Sequence, residues 1–265
     1  MKPTAIFNLH GSVEIMLFGQ DTGFDWQIKP LREKDGDKLH PELFARFAHI
    51  ANAAGVKILN APVPTLLNGN IVKSVDEYTQ LIGDPERFAI RQGIESDGSI
   101  IPAGEAYWLS SADTLLMVLL GLKSRNVVGV NLGLKSMMPG NAISNALSVL
   151  GDGPREIQVF LVGGVSPKYY IFSPTDVKYG LQNRQLIANL RNEGPNSVLS
   201  ESEGRIWLAG LAMDQLRNRD VPRYNIAIGG IEPHDDVDKD GKHLWYSTIR
   251  SKTSERNGFM VRRKW

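Results

Sequence analysis

Two kinds of apolar run alternate along this chain. Continuous or alternating runs predict strands over residues 13–18, 56–59, 71–75, 113–119, 127–131, 157–162 and 224–228. Runs with apolar residues every three or four positions predict helices over 40–54, 141–150, 182–191 and 205–217. In the first of these helices Leu43, Phe44, Phe47, Ile50, Ala51 and Ala54 share one face, Pro41 suits the first turn and Gly55 the stop. Asn141 and Gly151 bracket the second in the same way. The polar stretch 19–38 reads as loop or edge structure, and Asn68-Gly69 as a tight turn between the strands at 56–59 and 71–75. The tail 245–263 reads as two short strand-like pieces around Asn257-Gly258.

The runs 113–119 and 127–131 are apolar enough to be buried on both faces. The connection Gly121-Leu122-Lys123-Ser124-Arg125 is short enough to pair them directly, so they are expected as neighbours in a central sheet. Strands and helices mix along the whole length without a strict βαβ rhythm. This predicts the α/β (α+β) class, with mixed sheets flanked by helices. No Pro/Gly/Ser-rich linker, composition break, repeat or low-complexity segment divides the 265 residues, so a single domain over 1–265 is expected.

Composition narrows the function by exclusion. Lys and Arg total 30 against 29 acidic residues, a net charge of +1, which offers no field for nucleic acid or an anionic membrane. The basic tail Arg262-Arg263-Lys264-Trp265 is short and reads as a solvated strand end. There is no cysteine, so disulfides and thiolate metal ligands are excluded. No run approaches the roughly 18 apolar residues of a membrane span, and the N-terminus lacks the apolar stretch and cleavage site of a signal peptide. A cytoplasmic location is expected. Oligomeric state is left open.

At the two central runs the chain resembles the YfiH-type proteins, the laccase-domain or multicopper polyphenol oxidase-like family of purine nucleoside phosphorylases. The family pattern Thr-Ala-Asp-Cys followed by apolar residues is similar to Ser111-Ala112-Asp113-Thr114-Leu115-Leu116-Met117-Val118. Val-His-Ala-Gly is similar to Val130-Asn131-Leu132-Gly133, and Gln-Val-His-Gly to Leu66-Leu67-Asn68-Gly69. Downstream, Val162-Gly163-Gly164-Val165-Ser166-Pro167-Lys168-Tyr169-Tyr170 is similar to a Gly-rich Pro-Cys-Cys-Tyr segment. The terminal Phe-Ser-Tyr-Arg-Arg and Thr-Gly-Arg-Met pieces are similar to Trp245-Tyr246-Ser247-Thr248-Ile249-Arg250 and Asn257-Gly258-Phe259-Met260. These matches run in order from about residue 40 to the end. The resemblance implies a YfiH-like fold, a nucleoside-sized pocket and a His/Cys/His metal centre.

The centre itself departs from the family. Its three positions read Asn68, Thr114 and Asn131, which lack the imidazole or thiolate that zinc or copper needs. The Cys-Cys pair becomes Lys168-Tyr169, and the terminal Arg becomes Phe259. No metal and no cofactor are therefore expected. Asn68, Thr114, Asn131 and Arg250 are candidates for a ligand pocket, and Asp113 is the candidate catalytic residue. Each also has a plainer explanation. Asn68 before Gly69 suits a turn, and Thr114 at the head of an apolar run is first a half-buried strand residue. Asn131 interrupts an apolar strand, so its amide needs partners if buried. Asp113 can orient its neighbours, cap the turn into the strand, or pair with Arg250.

Weaker signals add little. The histidines at 10, 40, 49, 234 and 243 are scattered, although His10 and His234 are residues from which an alternative centre could be built. The acidic stretch 234–241 lacks the closing Glu of an EF-hand loop and reads as a solvated loop. Gly163-Gly164 belongs to no complete phosphate-binding motif, and Ser111, Ser247 and Ser254 have no nucleophile-elbow context. Two functional classes follow from the resemblance. One is a non-catalytic descendant that keeps the pocket for a nucleoside-like small molecule or a partner. The other is a purine nucleoside phosphorylase or deaminase with an altered, metal-free site.

Overall fold

The computed structural model describes residues 2–22, 41–62, 72–73, 80–93, 96–138, 141–252 and 255–264. The chain opens with the hairpin β1 (Ala5–Leu9) and β2 (Val13–Phe18), then α1 (Pro41–Ala53), β3 (Ile58–Pro62) and β4 (Val72–Lys73). The strands β5 (Gln80–Asp84), β6 (Phe88–Gly93), β7 (Gly98–Ile101), β8 (Ala106–Ser111), β9 (Leu115–Gly121) and β10 (Val127–Leu132) follow in succession. Next come α2 (Leu134–Met137), α3 (Ala142–Leu150), β11 (Ile157–Gly163) and α4 (Gly180–Glu193). A small hairpin, β12 (Val198–Ser200) and β13 (Arg205–Ile206), leads into α5 (Leu208–Arg217) and β14 (Ile226–Ile228). The chain closes with α6 (Thr248–Ser251) and β15 (Asn257–Arg263).

The strands form two large mixed sheets. The first has the order β1-β2-β15-β8-β3-β6-β5 and the second β14-β11-β9-β10-β7-β4. Strict alternation along the strands creates four layers. In β2, Val13, Ile15 and Leu17 turn toward the second sheet, whereas Met16 and Phe18 turn toward α1. In β9, Leu116, Val118 and Leu120 face the first sheet, while Leu115, Met117 and Leu119 face α3, α4 and α5. The order through the molecule is therefore α1, first sheet, second sheet, then the three helices. All seven residues of β9 and all six of β10 are buried, because each strand has a core on both of its faces. The two strands pair antiparallel with Leu116 opposite Asn131, which makes the central runs neighbours as expected. This mixed architecture matches the expected fold class.

Several expected boundaries move for identifiable reasons. The second helix ends at Gly151 as expected, with φ +81, but Asn141 occupies its N-cap without a side-chain capping bond. The run 205–217 is not helical from its start: Arg205 pairs with Ser200, and the helix begins at Leu208. In 224–228, residues Arg223–Asn225 form a 3-10 turn after Pro222, so the strand starts at Ile226. The tail has one long strand, not two pieces around a turn. Asn257 opens it, clamping Tyr246 by accepting the Tyr246 N–H at 2.8 Å and donating to its carbonyl at 2.9 Å. The strand expected at 113–119 starts at Leu115, leaving Asp113 and Thr114 in the turn before it. The strands on either side of the expected Asn68-Gly69 turn, β3 and β4, belong to different sheets; the turn itself lies outside the described residues. Among the described residues no helix is long and apolar enough to cross a membrane.

The spacing between the sheets is set partly by Gly129, where an added Cβ would stand 2.9 Å from Cδ1 of the buried Tyr107 ring. Gly129→Ala is expected to destabilise the fold by about 1–3 kcal/mol through overpacking. Gly230→Ala, where no atom lies within 4 Å, is expected to change stability by less than about 0.5 kcal/mol. Urea unfolding of the two variants checks this, and equal midpoints would refute the four-layer packing.

Candidate functional site

The apolar layer between the sheets gives way to polar residues at one end. Asn131, near the C-terminal end of β10, is completely buried. By the alternation of β10 it lies on the face opposite Val130 and Leu132, which belong to the helix-side core. Its side chain therefore points between the sheets. Thr114, just before β9, follows the same alternation as Leu116. The Thr114 hydroxyl donates to Asn131 Oδ1 at 2.5 Å. Ser111, at the end of β8 in the other sheet, points its one hydroxyl proton between the Thr114 hydroxyl, with which it makes a short hydrogen bond, and the Thr114 carbonyl at 3.2 Å. A string of two hydroxyls and one carboxamide thus links the sheets at this point.

The string leaves one atom over. Asn131 Nδ2 is buried and has no hydrogen-bond partner among the described residues, although a buried donor left unpaired costs about 1–3 kcal/mol. Such an atom marks stored strain or a place that an ordered water, an ion or a ligand completes. Thr114 and Asn131 are thus brought into direct contact, while Asn68 lies outside the described residues.

Asp113 is used differently. Its carboxylate accepts the Ser247 hydroxyl at 2.7 Å and the Ile249 N–H at 3.0 Å, and its carbonyl accepts the Val165 N–H at 3.1 Å. It therefore ties the segment before β15 and the loop after β11 to the head of β9. Arg250 donates to the carbonyls of Pro233, His234 and Trp245 at 3.0, 2.8 and 2.7 Å. Burial lowers its pKa from the usual guanidinium value, with the charges of Asp113 and Asp235 opposing. Arg250 thus braces the excursion between β14 and β15, and its influence on Asp113 is through space. Tyr170 is pushed up to about 12, first by burial and then by the negative charge of Asp113.

Other expected signals settle into place. His10 sits exposed in the hairpin turn between β1 and β2, beside the end of the first sheet where Arg263 faces Val13. The string lies at the opposite end, where Gly258 faces Phe18 and Asn257 faces Ser111. The His234 ring stacks on Tyr169 at 3.5 Å, and its Nδ1 lies 2.9 Å from Asp235. The Tyr169 hydroxyl donates to both oxygens of Asp235 at 2.7 Å, and with His234 and Lys168 it lowers the Asp235 pKa to about 2. In the acidic loop Asp236 accepts from the Glu232 N–H and Trp245 Nε1, while Asp238 accepts the Asp240 and Lys242 N–H groups. These carboxylates close turns, and no group of three or more His, Asp or Glu able to hold a metal occurs among the described residues. Gly163-Gly164 lines a cleft of about 210 Å³ with Ser166, Trp207, Gly229 and Glu232. Burial raises the Glu232 pKa, against opposing hydrogen bonds from the His234 and Ser166 N–H groups.

This two-sheet arrangement is the fold of the YfiH/DUF152 proteins. The chain is similar to NMB0706 of Neisseria meningitidis, of the DUF152 family, with a TM-score of 0.65 at 15% identity over 98% of this chain and 99% of that one. It is similar to the hypothetical protein YfiH of Bacillus licheniformis, with a TM-score of 0.66 at 13% identity over 95% and 93%. It is also similar to YlmD of Geobacillus stearothermophilus, with a TM-score of 0.67 at 13% identity over 100% and 98%. At these identities the likeness is one of fold. No protein-family model and no curated protein matches the sequence.

The residues present do not fit the metal that the resemblance implies. Two ligands of one tetrahedral zinc stand about 3.4 Å apart, but Thr114 Oγ1 and Asn131 Oδ1 are in direct contact at 2.5 Å. Neither atom is an imidazole nitrogen or a thiolate.

The shifted tyrosine gives a pH test. The ordinary phenol value is 10.0 and Tyr170 lies near 12, so the folded state favours the neutral phenol. Its contribution to stability is present below pH 10 and is lost as pH rises toward 12. In a difference titration of wild type against Tyr170→Phe at 295 nm, the tyrosinate absent from the variant is expected to appear only above about pH 11. Its appearance near pH 10 would show that Tyr170 is solvated.

Proposed function

We propose that this chain is a single-domain, metal-independent member of the YfiH-type family that uses the inter-sheet centre to hold a small, nucleoside-sized polar ligand without turning it over. The observation that carries this is the direct Thr114 to Asn131 hydrogen bond, with the buried Nδ2 left over. A pair that closes on itself has no gap for a metal, and an amide donor without a partner is what a ligand oxygen or nitrogen would complete. The chain has no cysteine to supply a thiolate nucleophile, and the described side chains of the string are hydroxyls and an amide, which supports binding over catalysis.

Elemental analysis of the purified protein is expected to find less than about one-tenth of a zinc or copper per chain. Adenosine, inosine and methylthioadenosine are expected to be neither phosphorolysed nor deaminated, with at least one of them bound. The triple variant Asn68→His, Thr114→Cys, Asn131→His restores the ligand types that the resemblance implies, and is expected to bind zinc with a Kd on the order of micromolar or tighter. Stoichiometric metal in the parent, or efficient nucleoside turnover, would overturn the proposal. Failure of the triple variant to bind zinc would refute the kinship of the two centres.

A further inference from the structure

The cleft of about 210 Å³ lies next to the inter-sheet centre, yet its lining includes none of Ser111, Thr114 and Asn131. An added Cβ on Gly163 would stand 3.6 Å from the Thr114 carbonyl oxygen. The cleft forms where the parallel strands β11 and β14 end, so two loops leave the sheet side by side, and the start of α5 lines it with them. A glycine pair stands at each exit, Gly163-Gly164 and Gly229-Gly230. Gly163 and Gly164 both have positive φ, +72 and +78, which glycine adopts without steric cost. The four glycines bring no side chains, so the walls are left mainly to Trp207, Leu208, Ile228, Ile231 and Glu232. An apolar cavity of about 150 Å³ takes a benzene ring, so this cleft has room for one ring with a short substituent.

Glu232 is the one ionisable residue of the lining. The His234 N–H donates to its Oε1 at 3.0 Å and the Ser166 N–H also donates to the carboxylate, which holds the group between the two loops. A carboxylate has about four lone-pair sites, so two N–H bonds leave acceptor capacity. The charges that act on it, those of Asp235 and Asp236, have its own sign, and no Lys or Arg among the described residues forms an ion pair with it. The N-terminal end of α5 also reaches the cleft, but its partial charge is only about +0.5, against a full negative charge at Glu232 with two more close by. Among the described residues no group of three metal-ligating side chains includes Glu232, so its complement is an organic cation and not a metal ion.

We propose that this cleft is a site for a small organic ammonium ion, whose N–H groups meet the Glu232 carboxylate while a compact apolar body lies against Trp207, Leu208 and Ile231. A primary ammonium offers three donors and no acceptor, its bond to a carboxylate is charge-assisted on both sides, and Trp is the ring best suited to stand beside a cation.

NMR titration of the isotope-labelled protein at neutral pH with benzylammonium, benzyl alcohol and Nα-acetyl-lysine methylamide tests this. Benzylammonium is expected to bind wild type at least about tenfold more tightly than benzyl alcohol, its neutral counterpart, and to shift the amide signals of Gly163, Gly164, Gly229 and Gly230. Glu232→Gln keeps the side-chain shape and an acceptor for the two N–H groups. It is expected to weaken benzylammonium by at least about tenfold and benzyl alcohol by less than about threefold. Equal binding of amine and alcohol to wild type would overturn the proposal, as would an unchanged affinity in the folded variant or shifts confined to other parts of the chain. If Glu232→Gln does not fold, the wild-type comparison and the map of shifted amides decide alone. Tighter binding of the acetyl-lysine amide than of benzylammonium would overturn the assignment to a free amine, because the ammonium would then belong to a protein side chain. Binding of neither amine would overturn the site altogether. Nucleoside binding at the inter-sheet centre is expected to be unaffected by Glu232→Gln, so the two readings fail separately.

Discussion

The face-to-face packing of the two sheets is the constraint on which the rest depends. A strand buried on both sides can carry almost nothing polar, and β9 and β10 obey this along nearly their whole length. The inter-sheet layer is filled by Ile15, Leu17, Tyr107, Leu109, Val118 and Phe259 among others. Against that background one buried carboxamide at Asn131 is conspicuous, since each unsatisfied polar atom there faces a full desolvation penalty. The fold tolerates it because hydroxyls arrive from both sheets, Ser111 from β8 and Thr114 from the head of β9.

The same end of the sheets is where distant parts of the chain are tied together. Asp113 holds the segment leading into α6, Arg250 folds the excursion between β14 and β15 onto itself, and Asn257 clamps Tyr246 as β15 begins. These bonds are directional and mostly involve ionised groups or backbone, which makes them strong for their number. They give the site a rigid surround, and they explain why Asp113, adjacent in sequence to Thr114, serves as a structural tie while Thr114 joins the string.

The sequence made some of this legible. Runs apolar on both faces identified β9 and β10 and their pairing, and helical spacing identified α1 and α3. The first sheet was harder to read. Strands such as β8, with Ser110 and Ser111 at its end, are short and mixed, and become strands because β15 arrives from the far end of the chain to pair with β8 and β2. That is a tertiary decision which local pattern does not contain. At the site, Asn131 stood out as an amide within an apolar run, and order along the chain pointed to Thr114. Glu232, in the cleft beside it, was not legible, because it stands just before the acidic stretch 234–241, which reads as a solvated loop. It borders a cleft only once β14 lies parallel to β11. The candidate Arg250 was placed by resemblance alone, and its use as a brace on three carbonyls depends on a loop whose path the sequence does not specify.

The function of this centre turns on whether Thr114 and Asn131 bond to each other or share a metal. A crystal structure of protein purified without chelator or added metal, with anomalous data at the zinc and copper edges, measures this directly. The hydrogen-bonded pair predicts Thr114 Oγ1 within about 3 Å of Asn131 Oδ1 and no anomalous peak between them. A peak bridging the two side chains, with their oxygens about 3.4 Å or more apart, would contradict it.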